Sequence, residues 1–161
     1  MSSGIGDAFN REVLGFTNAA SATSELPEDF KRETLGVTHP GHEAVMALDP
    51  EYFAALKNYY STWTISRKDA AIPRSVMEFI ITGILLTQGK MHGARVHVRR
   101  ALLAGATPRE LFQAIAVAGI PGGVPVIWHG AAMVKAEMDE LGLKIDERYS
   151  GPEAPAAGAG E

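Results

Sequence analysis

Between residues 49 and 142 the chain is punctuated as a series of helices, and no run in it alternates as a half-buried strand would. Asp49 is a helix-capping residue with Pro50 at the first helical position. Pro73 opens another helix, running to about Thr87 and apolar on nearly every side, so it is expected at the centre of the fold or under a partner subunit. Thr107-Pro108-Arg109-Glu110 forms a capping box, and Leu111, Phe112, Ile115 and Ala116 give the helix behind it a buried face. Gly89, Gly105 and Gly142 supply the breaks. After Asp49, Phe53, Leu56, Tyr60 and Trp63 fall at i, i+3, i+7 and i+10, which predicts one buried stripe. The spacing predicts an all-α fold, a helical bundle of about six to seven helices.

Weaker signals fill in the remainder. A short helix is expected over Pro27–Leu35, then a turn through Gly36–Gly41 and a further short turn through His42–Leu48. A Gly/Pro-rich turn is expected over Gly119–Pro125, before a last helix from about Val126 to Leu141. Residues 1–25 read as a flexible arm, 26–146 as the helical domain and 147–161 as a disordered tail, too poor in apolar side chains to offset its ordering entropy.

Composition narrows the function classes. The net charge of −4 gives no general attraction to nucleic acid or acidic membranes. The chain has no cysteine, which removes disulfides, thiolate ligands and dithiol redox motifs together. Residues 1–10 have no basic and apolar signal pattern, and the longest apolar run, 76–86, contains Glu78 and is too short to span a bilayer. A cytoplasmic protein is expected.

The chemistry concentrates in residues 89–105, a helix with two histidines, a lysine and three arginines, preceded by Glu78 in its apolar setting. Helical spacing puts Lys90, Gly93 and His97 on one stripe and His92, Arg95 and Arg99 on another. The two histidines therefore do not form the i, i+4 pair of zinc proteases. Imidazole and carboxylate suit zinc or iron, and His92, His97, His129 and Glu78 would supply them, but the spacing matches no ligand motif and no metal is expected. Glu78 has two compatible readings: an i, i+4 ion pair with Arg74, or a desolvated carboxyl of raised proton affinity that works as acid or base. Between Glu78 and Glu110 no acidic residue balances five cations, Lys90, Arg95, Arg99, Arg100 and Arg109, an excess that suits a carboxylate- or phosphate-bearing ligand. A solvated helix face is the plainer account of the arginines. His129, after a glycine-rich turn, is either a packing residue or part of an anion site. His39 and His42 flank a Pro-Gly turn and are expected at the surface.

Taken in order, Arg74-Ser75, His97-Val98-Arg99, Gly105-Ala106-Thr107-Pro108-Arg109-Glu110, Gly119-Ile120-Pro121 and His129 make residues 53–143 resemble the carboxymuconolactone decarboxylase family, which includes the alkylhydroperoxidase D-type proteins. The resemblance implies that family's helical bundle and a homo-oligomer, a trimer or a hexamer. In the redox branch a glutamate and two histidines accompany a Cys-X-X-Cys pair. Glu78, His92 and His97 match the former, whereas the cysteine positions fall on Lys90 and Gly93. Peroxidase chemistry by thiolate is thereby unavailable. The decarboxylase branch acts without a cofactor on carboxylated lactones from aromatic catabolism. By that resemblance the chain is expected to be a cofactor-independent carboxy-lyase, with Arg74, Arg95 or Arg99 holding the substrate carboxylate, His97 or His129 moving the proton, and Glu78 setting a histidine's tautomer or acting itself. Lys90 is either an anion- or carbonyl-binding residue or a solvent-facing one at the helix start. A non-catalytic binding or assembly module of the same fold is the alternative.

Overall fold

The computed structural model describes residues 26–151, and every regular element among them is helical. Seven α-helices follow in order: α1 (Glu28–Glu33), α2 (Pro40–Leu48), α3 (Pro50–Lys57), α4 (Arg74–Thr87), α5 (Met91–Leu103), α6 (Pro108–Gly122) and α7 (Val124–Glu140). A π-helical stretch, Asn58–Ile65, continues directly from α3. The expected arm, 1–25, lies outside the described residues, as does most of the expected tail. Of that tail's described part, Arg148 pairs with Glu110 at 2.6 Å and Tyr149 packs against the core. Among the described residues no helix is long and apolar enough to cross a membrane.

Helices α4 to α7 pack around one core of Leu86, Ala94, Val98, Leu102, Leu111, Ile115, Val126 and Val134. Leu102, Leu111 and Ile115 are essentially without exposure, and burying each such side chain contributes about 2 kcal/mol. A smaller cluster, Leu26, Phe30 and Phe53 with Val45 and Met46, ties α1, α2 and α3 together. The capping predicted at Asp49 and Thr107 is present: Asp49 accepts from Tyr52 N, and Thr107 and Glu110 cap each other.

Four local expectations change: of the face expected behind Thr107, Leu111 and Ile115 are buried, but Phe112 is 38% exposed. The segment His42–Leu48 is not a turn but most of α2, because His39 accepts from Gly41 N while the His42 ring accepts from His39 N, a capping box made of two histidines. The Gly119–Pro125 turn contracts to Gly123 alone, at φ 80°: Pro121 is accommodated in the last turn of α6, and Pro125 sits in the first turn of α7. The stripe after Asp49 also breaks. Phe53 is buried, but Leu56, still in α3, is 36% exposed and Trp63 is 62% exposed, with Ile65 taking the inner side along the wider π-helical turn. Tyr60 and Ile65, five apart, now face inward where a continuous α-helix would have turned Trp63 in.

Candidate functional site

In α4 the inward stripe is Glu78, Thr82 and Leu86, so the helix buries two polar residues and leaves Ile80 and Ile84 half exposed. Glu78 has no exposed surface. Its Oε1 accepts from Arg74 Nε at 2.6 Å, and its Oε2 lies 2.6 Å from His97 Nδ1. The two readings of Glu78 thus hold together in one respect: it pairs with Arg74 at i+4 and also engages a histidine. They part over its proton affinity. Burial pushes the carboxyl up, but the His97 hydrogen bond and the positive charges of Arg74 and Arg100 outweigh it, holding Glu78 below its ordinary value. Glu78 is a carboxylate at neutral pH, not the raised-affinity acid expected from its apolar neighbours.

An ionised Glu78 fixes the tautomer of His97. Nδ1 must carry a proton and donate it to the carboxylate, which leaves Nε2 as the ring nitrogen that Glu78 does not use. Nε2 has no partner among the described residues, on a side chain 11% exposed. Arg74 has a spare donor as well: Nε serves Glu78 and one Nη serves the Glu33 carbonyl at 3.1 Å, while the other Nη has no partner among the described residues.

One turn beyond His97, Arg100 is 1% exposed. It donates to the Val37 carbonyl from Nε and Nη2, at 3.0 and 2.6 Å, and to the Tyr60 hydroxyl from Nη1. The Tyr60 ring also lies 5.8 Å from the guanidinium carbon. Burial raises the Tyr60 hydroxyl's proton affinity, partly opposed by Arg100, so it stays protonated.

The histidines of α2 belong to the same neighbourhood. The His39 ring meets His92 edge-on at 4.6 Å and His42 at 6.2 Å. Burial, reinforced by Arg100, His39 and His97, pushes His42 down to about 4, and His39 is lowered by burial and then by His92 and Arg100. Both rings use Nδ1 as an acceptor in the capping box, so both are neutral at pH 7. His39 and His42 are half-buried around the site, contrary to the expectation of surface residues.

Other expected site residues lie apart from Glu78. Arg95 and Arg99 turn toward α7, where Glu137 and Glu140 bind both of them at 2.6 to 2.9 Å. The acids that seemed missing from residues 79–109 are supplied by a helix some forty positions later. His129 is exposed on α7 and shares no hydrogen bond with Glu78 or His97. Lys90 is exposed just before α5. Among the described residues no three histidine or acidic side chains are grouped as metal ligands would be.

What converges is an ionised glutamate, a histidine oriented by it, and two arginines. With Arg74 and Arg100 against Glu78, and the α2 histidines neutral, the site carries net positive charge and suits an anion. The model of the Carboxymuconolactone decarboxylase family matches residues 50–136, more than half of the 161-residue chain. The chain belongs to the carboxymuconolactone decarboxylase family. No curated protein and no solved structure matches it. The family segment holds Tyr60, Arg74, Glu78, His92, His97 and Arg100, whereas Val37, His39 and His42 precede it. Sequence reasoning passed over Tyr60 as core, Arg100 as a helix face, and these three upstream residues. The two histidines either side of Pro40-Gly41 were the one available signal, since both ring nitrogens can cap a helix start.

Proposed function

We propose that the protein is a cofactor-independent, decarboxylase-like lyase that uses acid–base chemistry on a small carboxylated lactone or keto acid in the cytoplasm. The observation that carries this reading is the Glu78–His97 contact, which orients His97 and leaves Nε2 without a partner among the described residues, while Arg74, on the other oxygen of Glu78, also keeps a spare donor. In this reading Arg74 holds a substrate carboxylate that is not the one lost. The bond from carbon to the departing carboxylate breaks, CO2 leaves, and the bonding pair remains on the substrate as an enolate. A protonated His97 delivers its Nε2 proton to that carbon while Glu78 steadies the ring from the Nδ1 side. Water then returns a proton to His97, so the net change is one proton taken up and one CO2 released. Arg95 and Arg99, committed to Glu137 and Glu140, take no part. Lys90 and His129 are also outside the reaction centre in this reading.

His97→Ala and His97→Gln test the assignment, with CO2 release from 4-carboxymuconolactone as the assay. Each variant is expected to lose about 10²–10⁴ in turnover with no change in assembly size. Full activity in either variant sinks the assignment. One observation favours the rival, a non-catalytic binding module: Arg74 already neutralises Glu78. Binding of the lactone without turnover by the wild-type protein would decide for it. The reading also includes a homo-oligomer, trimeric or hexameric, supported by the exposed Ile80, Ile84, Ile120 and Trp128 on α4, α6 and α7.

A further inference from the structure

Arg100 is a fully buried cation whose hydrogen-bond partners are all neutral: the Val37 carbonyl, twice, and the Tyr60 hydroxyl. Among the described residues no carboxylate forms an ion pair with it, and Glu78 is already held by Arg74 and His97. Arg100 acts on Glu78 only through space, so Arg74, Arg100 and Glu78 together hold one positive charge in excess, and a buried excess is costly unless negative charge arrives from elsewhere. Tyr60 extends that positive charge. Its oxygen accepts from Arg100, so its own O–H remains to donate, and that proton has no acceptor among the described residues. Tyr60 stands seven residues after the buried Phe53, early in the π-helical stretch along which Trp63 turns outward. Arg100 follows His97 by three residues, on the neighbouring position of one helix face.

We propose that Tyr60, polarised by Arg100, is the site's oxyanion-binding residue, donating its O–H to the substrate oxygen on which charge develops. The inference rests on the reading of the site as an acid–base centre and deepens it. The substrate class becomes a molecule with two acceptors: a carboxylate for Arg74, and a separate carbonyl that turns into an enolate oxygen facing Tyr60. Such a donor acts most strongly when the oxygen is charged, so it favours the enolate over the starting carbonyl.

The test needs no turnover. 4-Hydroxy-3-nitrobenzoate carries a carboxylate and, across the ring, an ionisable oxygen whose visible absorption shifts when it accepts a hydrogen bond. 3-Nitrobenzoate lacks that oxygen. The wild-type protein is expected to bind the hydroxylated probe about tenfold more tightly, the worth of one charge-assisted hydrogen bond, with a shifted phenolate band. Tyr60→Phe, which keeps the ring beside Arg100, should abolish both the preference and the shift while binding 3-nitrobenzoate as before. Retention of the preference in Tyr60→Phe, or its absence in the wild type when 3-nitrobenzoate binds, overturns the inference and leaves the acid–base reading standing. Binding of neither probe overturns both. Should Tyr60→Phe not fold, site-specific 3,5-difluorotyrosine at position 60, a stronger donor, must increase the preference, and an unchanged preference is equally fatal.

Discussion

Glu137 and Glu78 are both acids without exposure, each held by two cationic or proton-bearing partners, yet they do different work. Glu137 bridges Arg95 and Arg99, and Glu140 doubles both contacts, so every charge in that group is answered inside the protein. Glu137→Gln removes one of the two carboxylates on Arg95, 8% exposed, and leaves it the half-exposed Glu140. Removing one partner from a buried pair is strongly destabilising, and a loss of about 3 kcal/mol is expected from urea unfolding midpoints, the low end because Glu140 remains. Glu140→Gln, at a site open to water, should cost about 1 kcal/mol or less. The Arg74–Glu78 pair was legible in the sequence because four residues along a helix fix a distance. The partners of Arg95 and Arg99 were not, since 38 to 45 residues separate them and only the packing of α5 on α7 brings them together. Likewise, helical spacing correctly divided His92 from His97, but nothing local to residue 97 points to Glu78; that link came through the family resemblance.

At the scale of elements, α2 is capped by two titratable rings. Each accepts a backbone N–H through Nδ1, and a protonated ring loses that acceptor. His42 falls from its ordinary 6.5 to about 4, from burial first and then the charge of Arg100. Because the folded form resists protonation, the unfolded chain binds more protons below the ordinary value, so stability falls as pH drops. The loss begins near pH 6.5 and is complete below about 4, and it is in the same direction for His39. His42→Gln retains an acceptor suited to that capping position and cannot titrate. Its thermal midpoint should fall less steeply than the wild type's between pH 6.5 and 4; parallel curves would remove His42 as the cause. Helix starts at Asp49 and Thr107 could be read because proline and a short polar side chain act locally. The π-helical stretch could not, as its five-residue spacing only shows once Tyr60 meets Arg100 and Ile65 meets the core.

Across the whole molecule, α4 carries part of the site and, with α6 and α7, presents an apolar exterior. Ile80 and Ile84 on α4, Val117 and Ile120 on α6, and Val124 and Trp128 on α7 range from 50 to 82% exposed. These three helices pack on one another, with the core Leu86, Ile115 and Val126 drawn from each. The sequence showed that the helix after Pro73 is apolar all round, but not which side the fold would leave bare. With the proposed homo-oligomer covering these faces, a charge there should break it: Ile120→Glu or Trp128→Glu is expected to lower the mass found by light scattering from that of a trimer or hexamer to that of one chain. An unchanged mass would place the subunit contact elsewhere, and a wild-type protein of single-chain mass would end the oligomer proposal.

Both arginines of the site reach back to the same stretch of main chain, Arg74 to the carbonyl of Glu33 and Arg100 to that of Val37. Family likeness begins only at residue 50. Trimmed to that likeness, the chain would keep Glu78 and His97 but strip Arg100 of two of its three hydrogen bonds. The shortest fragment worth expressing for this chemistry therefore starts ahead of α1, a boundary drawn by two carbonyl oxygens and not by the extent of the homology.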